Sequence, residues 1–190
     1  MGVTKAALRS QLAARRAALT PGQLDEAGEK LAAAVLPALP DRGCVACYVD
    51  VPPEPPTGPL LAALLARGYR VLLPILRADR DLGWGDYDAA AGLVPARWGL
   101  REPAGPDLGT EAIGVANVVI VPAVAVARDG VRLGRGGGSY DRALSRTTAP
   151  LIALLHNGEL LPAGVVPAEP HDRLVHAVVT PIGGLERLPA

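Results

Sequence analysis

The chain has 190 residues, of which 49% are hydrophobic and 20% charged. That is enough apolar material for one self-folding domain over 1–190, and it excludes both a disordered chain and a second catalytic module. Lys and Arg number 19 and so do Asp and Glu, so the basic surplus on which broad nucleic-acid surfaces rely is missing and no nucleic-acid partner is expected.

The first residues, through Leu19, predict a helix from Thr4, with Ala7, Leu8, Leu12 and Leu19 on one side and basic residues on the other. Lys5, Arg9, Arg15 and Arg16 interrupt this stretch, so it forms neither a signal peptide nor a membrane span, and a cytoplasmic protein without a membrane partner is expected. A second helix starts at the N-cap Thr20, with Pro21 at its first position and Gln23 completing a capping box, and runs to about Leu36. The run 43–50 reads as a strand, Pro52 to Pro56 as a rigid loop, and Thr57 as the cap of a helix that Gly68 ends. Cys44 and Cys47 stand three apart in that strand, on opposite faces, and are expected to be inert core thiols rather than a redox or zinc pair.

A strand at 69–76 completes a βαβ unit, which implies a parallel sheet with right-handed crossovers. From Arg77 to about Thr110 turn signals dominate, and an excursion from the main sheet is expected. Strands follow at 117–126, 150–156 and 174–181, with a short helix at 139–146 after a glycine-rich loop. Near-continuous Val, Ile and Leu in these strands argue for a layered, mostly parallel α/β sheet covered by helices, preceded by two N-terminal helices.

The loop 132–140, RLGRGGGSY, contains Gly134, Gly136, Gly137 and Gly138, follows a buried strand and opens a helix. Such a site offers backbone N–H groups to a phosphate, and Arg132, Arg135 and Arg142 add charge. It is neither a P-loop nor a clean G-x-G-x-x-G, because Ser139 occupies the final position. From the residues alone, a phosphate cradle and a plain turn both remain open. Lys5 and Arg9, four apart on one helical face, fit either a triphosphate contact or a solvated basic stripe. Glu54 fits either a ligand contact at a strand end or an exposed loop acid. Tyr140 fits either the wall of a site or helix packing, and Trp84 and Trp98 fit either ring stacking or core. His156, His171 and His176 form no ligand spacing and pair with no nucleophile, so none is expected to be essential.

The stretch 121–144, VPAVAVARDGVRLGRGGGSYDRAL, resembles the signature of the 5-formyltetrahydrofolate cyclo-ligase family. Four further segments agree in order: Lys5-x-x-x-Arg9, Glu54-x-x-Thr57, the run from Gly99 to Pro103, and His171-Asp172. Ser139 stands where the family form is usually aromatic, and Gly137 where some members carry Lys. The resemblance implies a three-layer, Rossmann-like α/β fold of the kind shared with sugar-phosphate isomerases and CoA transferases. It also implies ATP-dependent closure of 5-formyltetrahydrofolate to 5,10-methenyltetrahydrofolate, with Mg2+ as cofactor, by a monomeric enzyme. In that chemistry the formyl oxygen takes the γ-phosphoryl group, N10 attacks, and phosphate leaves.

Carried onto this sequence, the resemblance makes Arg135 catalytic. It assigns ATP to Lys5, Arg9, Arg132, Leu133, Gly134, Arg135, Gly136, Gly137, Gly138, Ser139 and Tyr140. It gives the folate to Val49, Glu54 and Tyr140, and the metal to Asp141 and Asp172. The competing expectations are an ATP-dependent ligase acting on another acceptor and a non-catalytic nucleotide- or folate-binding regulator.

Overall fold

The computed structural model describes residues 4–169 and 172–189; His171 lies outside them. Its α-helices are α1 (Lys5–Ala17), α2 (Pro21–Val35), α3 (Gly58–Ala66) and α4 (Ser139–Leu144). Its strands begin with β1 (Cys44–Ala46), β2 (Arg70–Leu76), β3 (Leu82–Asp86), β4 (Leu93–Pro95), β5 (Arg101–Pro103) and β6 (Val118–Pro122). They continue with β7 (Ala125–Ala127), β8 (Arg132–Leu133), β9 (Leu151–Leu154), β10 (Leu160–Leu161), β11 (Ala177–Thr180) and β12 (Gly184–Arg187).

The helix starts follow the sequence closely. The Thr4 hydroxyl accepts from the Ala7 N–H at the head of α1, and Thr20 and Gln23 make both bonds of the capping box that opens α2. Thr57 departs from expectation. It makes no side-chain cap to α3; its hydroxyl and N–H both bond the Asp50 carboxylate, at 2.8 and 2.9 Å, tying the helix start to the end of the preceding strand segment. Gly68, at φ +77, supplies the left-handed residue that ends α3.

The main sheet has the order β12-β11-β9-β6-β1-β2-β3. The five inner strands are parallel and the two edges, β3 and β12, are antiparallel. Alternate residues of β1 enter different cores: Cys44 and Ala46 pack with Trp84, Ile113 and Leu144, while Val45 and Cys47 pack with Leu31, Leu60 and Leu64 of α2 and α3. The two thiols are thus buried on opposite faces, and burial pushes both upward in pKa. A small sheet, β10-β7-β8, packs against Leu8 and Leu12 of α1.

Two expectations need correction. The stretch 77–110 leaves the main sheet only in part: β4 and β5 pair in a two-stranded sheet of their own, whereas β3 pairs with β2 in five-residue register. Its alternation of glycine hides the strand signal: a Cβ on Gly85 would meet Pro103 at 2.8 Å, so the close approach of the returning chain requires glycine there. Trp84, between those glycines, is fully buried core rather than a stacking residue. The strand expected over 117–126 breaks after Pro122, and its continuation, β7, joins the small sheet. Among the described residues, no helix is long and apolar enough to cross a membrane.

Candidate functional site

The parallel strand order reverses between β1 and β6: the chain moves outward from β1 to β2 on one side and from β6 to β9 and β11 on the other. The carboxyl ends of such a pair leave a crevice where open α/β sheets hold ligands. A cleft of about 250 Å³ lies there, walled by Tyr48, Val49 and Glu54 after β1, and by Pro122, Ala123 and Val124 at the end of β6. Pro74 and Leu76 of β2 form its apolar side, and the loop from Gly134 to Gly138, with Ser139, Tyr140 and Asp141 of α4, forms its roof.

The loop's backbone requires glycine at two points. Gly136 and Gly138 have φ of +93° and +71°, a region in which side-chain-bearing residues are strained. Arg9 of α1 donates from Nε to the Gly134 carbonyl at 2.8 Å, and its guanidinium lies beside Gly136. α4 has only six residues, so its dipole is short, and the anion-attracting character of this loop rests mainly on its N–H groups and its arginines.

Arg132 is buried and pairs with Asp141 at 2.5 Å, with its guanidinium 6.0 Å from the Tyr140 ring centroid. It therefore braces the loop against α4 as well as lining the cleft. Arg135 is 57% exposed, and its Nε stands 3.1 Å from Glu54. Glu54 is nearly buried and accepts from the Val51 N–H at 2.9 Å. Burial raises its pKa, opposed by the Val51 N–H and by the Arg135 charge. The Tyr140 hydroxyl is buried without a hydrogen-bond partner among the described residues, and burial pushes its pKa well up, so it stays protonated and able to donate to a ligand.

Most of the residues named from sequence therefore meet: Val49, Glu54, Arg132, Gly134, Arg135, Gly136, Gly137, Gly138, Ser139, Tyr140 and Asp141 all line one cleft. Leu133 is buried in the core beneath the loop. Lys5 bonds Glu169 at 2.9 Å and stands 3.7 Å from Asp172, outside the cleft wall. Trp98 is 66% exposed and does not line the cleft. Among the described histidines, His176 accepts from the Leu151 N–H. Burial keeps His156 below the ordinary histidine range, and its ring contacts the Pro53 carbonyl at 3.1 Å.

Sequence reasoning gave no role to two groups, the first of which stands in the run from Gly99 to Pro103. Arg101 and Glu102 of β5 reach the cleft, and Glu102 accepts from the Leu76 N–H at 2.9 Å, fastening the β4–β5 hairpin to β2. Arg16 is buried and makes a two-pronged pair with Glu159 while donating to the Ala123 carbonyl at 2.7 Å, which holds the chain at the point where β6 ends. Its position, four residues past Leu12 on the same helical face as Leu8, was the available signal.

The model of the 5-formyltetrahydrofolate cyclo-ligase family matches residues 1–181. The 5-formyltetrahydrofolate cyclo-ligase of Mycolicibacterium smegmatis is 48% identical over 151 residues, covering 76% of each chain. That of Escherichia coli K12 is 34% identical over 175 residues, covering 88% of this chain and 94% of its own. The solution structure of 5,10-methenyltetrahydrofolate synthetase from Aquifex aeolicus superposes with a TM-score of 0.81 at 25% identity, over 98% of this chain and 93% of that one.

Proposed function

The chain belongs to the 5-formyltetrahydrofolate cyclo-ligase family, and we propose that its cleft closes 5-formyltetrahydrofolate to 5,10-methenyltetrahydrofolate while ATP is converted to ADP and phosphate. The enzyme is a ligase. The observation that supports the site is the pairing of Arg135 with Glu54 at 3.1 Å, which joins a glycine loop suited to phosphate with a carboxylate suited to the N–H groups of a pterin.

In this reading the loop N–H groups of 134–138 and Arg9 hold the triphosphate, with Lys5 on the same helical face at its outer end. The formyl oxygen takes the γ-phosphoryl group, N10 forms the new C–N bond, and the phosphate leaves with the former formyl oxygen. Arg135 stabilises charge on the transferring group, because phosphoryl transfer asks a protein chiefly for positioning and matched charge. Glu54 orients the pterin with Val49 as an apolar neighbour, and the Tyr140 hydroxyl donates into the same space. Asp141, lining the cleft, fits the one or two carboxylates by which Mg2+ is usually held beside phosphates. Asp172, engaged with Lys5 outside the cleft wall, does not fit as its companion. Mg2+ there would neutralise phosphate oxygens.

Incubating the protein with 5-formyltetrahydrofolate, ATP and Mg2+ is expected to form the methenyl product, followed by its absorbance. ATP binding without turnover would instead leave a regulatory binder.

The pH dependence has a defined sign. Burial favours the neutral form of Glu54, so its acid limb lies above the ordinary carboxylate range. Folate KM is expected to rise as pH falls through that limb, and the limb is expected to vanish in Glu54→Gln. A raised folded-state pKa also means that stability is lost as pH rises through it, so Glu54→Gln should be no less stable than wild type at neutral pH, as thermal unfolding would check.

A further inference from the structure

Glu54 sits in the loop 50–57, between β1 and α3. Val51 and Glu54 wall the cleft, whereas Asp50 and Thr57 face a second cavity of about 410 Å³ beside it, and Arg101 stands in the walls of both. The loop has little to hold its own shape. Pro52, Pro53, Pro55 and Pro56 are four of its eight residues and supply no N–H, so its carbonyls depend on donors from elsewhere. The two that flank Glu54 find them. Pro55 accepts from the Tyr48 hydroxyl at 2.6 Å, and the Pro53 carbonyl lies 3.1 Å from Nε2 of His156, a residue about a hundred positions further along the chain. A carbonyl oxygen only accepts, so its partner fixes the tautomer: Nε2 carries the hydrogen.

His156 is itself anchored from the core. Its backbone N–H donates to the Glu159 carboxylate at 2.8 Å, and that carboxylate is gripped by the buried Arg16 at 2.6 and 2.8 Å. The imidazole thus presents a donor from a rigid base, which is what a site residue on a proline loop lacks. We propose that His156 is a positioning residue for the substrate carboxylate: by holding the Pro53 carbonyl it fixes where Glu54 points, an inference that rests on the cyclo-ligase reading. His156 does not line the cleft. It acts one residue away from Glu54 through the backbone, and the conserved-size ring Phe would fill its place without supplying the bond.

The test is steady-state kinetics of the full chain on 5-formyltetrahydrofolate and ATP. His156→Phe is expected to raise folate KM about three- to tenfold, the usual worth of one neutral hydrogen bond expressed as affinity. The KM for ATP and kcat should stay within about twofold. His156→Asn, whose amide is too short to reach Pro53, should behave like Phe, whereas His156→Gln, with an amide N–H at about the reach of Nε2, should recover most of the loss. The pH profile gives a readout that lost packing would not move. The charged groups acting on Glu54 are Arg135 of the glycine loop, Arg16 of α1 and Asp50 of its own loop, and those acting on His156 are Glu159 and Arg16. None is changed by these substitutions, and burial keeps His156 neutral, so its replacement removes no charge. A carboxyl freed from its buried setting gains water, and the acid limb of folate binding should therefore move down in pH in His156→Phe and His156→Asn and return in His156→Gln. Folate KM and acid limb unchanged in folded His156→Phe or His156→Asn would overturn the role. A loss shared equally by both substrates, or one that Gln does not rescue, would overturn it too, while leaving the cyclo-ligase reading standing. Absence of wild-type turnover would overturn both.

Discussion

Replacing Arg135 by Ala is expected to lower kcat by about two orders of magnitude or more, the usual cost of removing one electrostatic donor from a developing anion. Arg135 lies between Gly134 and Gly136 with more than half of its side chain in solvent. Its ion pair with Glu54 therefore contributes little to folding, and the variant should unfold at nearly the wild-type temperature. That separation makes the result informative: a large fall in kcat with unchanged stability places the effect in the reaction. Lys at the same position keeps the charge but not the planar fork, so Arg135→Lys should recover only part of the rate. The Arg135 charge also opposes the burial that lifts the Glu54 pKa. Its loss should move the acid limb of folate binding further up in pH, a second signature from the same variant. An unchanged kcat in Arg135→Ala, measured in single turnover, would reject the assignment.

The largest stability effect is expected at Arg16 and Glu159. Their side chains are 7% and 4% exposed, and they meet at 2.6 Å. Glu159 also accepts from the His156 N–H at 2.8 Å. Removing either partner leaves a buried charge uncompensated, a cost of about 3–5 kcal/mol. Glu159→Ala and Arg16→Met should each shift the urea midpoint accordingly without changing the slope. The double variant Arg16→Met/Glu159→Leu should lose much less than the sum, because no stranded charge remains. Singles that cost under about 1 kcal/mol, or a fully additive double, would refute the account. Arg16 also bonds the Ala123 carbonyl and lies within reach of the Val124 carbonyl, and both of those residues wall the cleft. Arg16→Met should therefore raise KM for both substrates at temperatures where the variant is still folded.

Much of the site was legible because its chemistry is local. Four glycines interleaved with Arg132 and Arg135, after an apolar strand and before a short helix, announce a loop that backbone N–H groups can line, and Gly136 and Gly138 do adopt positive φ there. Glu54 was legible only through a family resemblance. Nothing in VPPEPPT distinguishes a ligand-facing carboxylate from a loop acid, and only the folded chain sets it in one cleft wall with Arg135 and Tyr140 of the distant glycine loop. Arg101 stood in the run from Gly99 to Pro103 that carries the resemblance but had no role attached to it; the structure sets it in two cavity walls at once. Lys5 and Arg9 looked alike at helical spacing. The structure separates them, giving Arg9 to the Gly134 carbonyl and Lys5 to Glu169.

The sequence alone determined the helix starts at Thr4 and Thr20, the αL stop at Gly68, the inner strands and the opposite-face burial of Cys44 and Cys47, because caps, turn glycines and side-chain alternation act over a few residues. Tertiary structure alone decided that β3 closes one edge of the sheet, that the strand after Pro122 leaves it, and that an arginine belongs in the core. Each of those outcomes depends on a partner far along the chain: the returning segment at Pro103 that requires Gly85, and the buried carboxylate of Glu159, 143 residues from Arg16. Free energy terms that need both partners present cannot be read from either one alone.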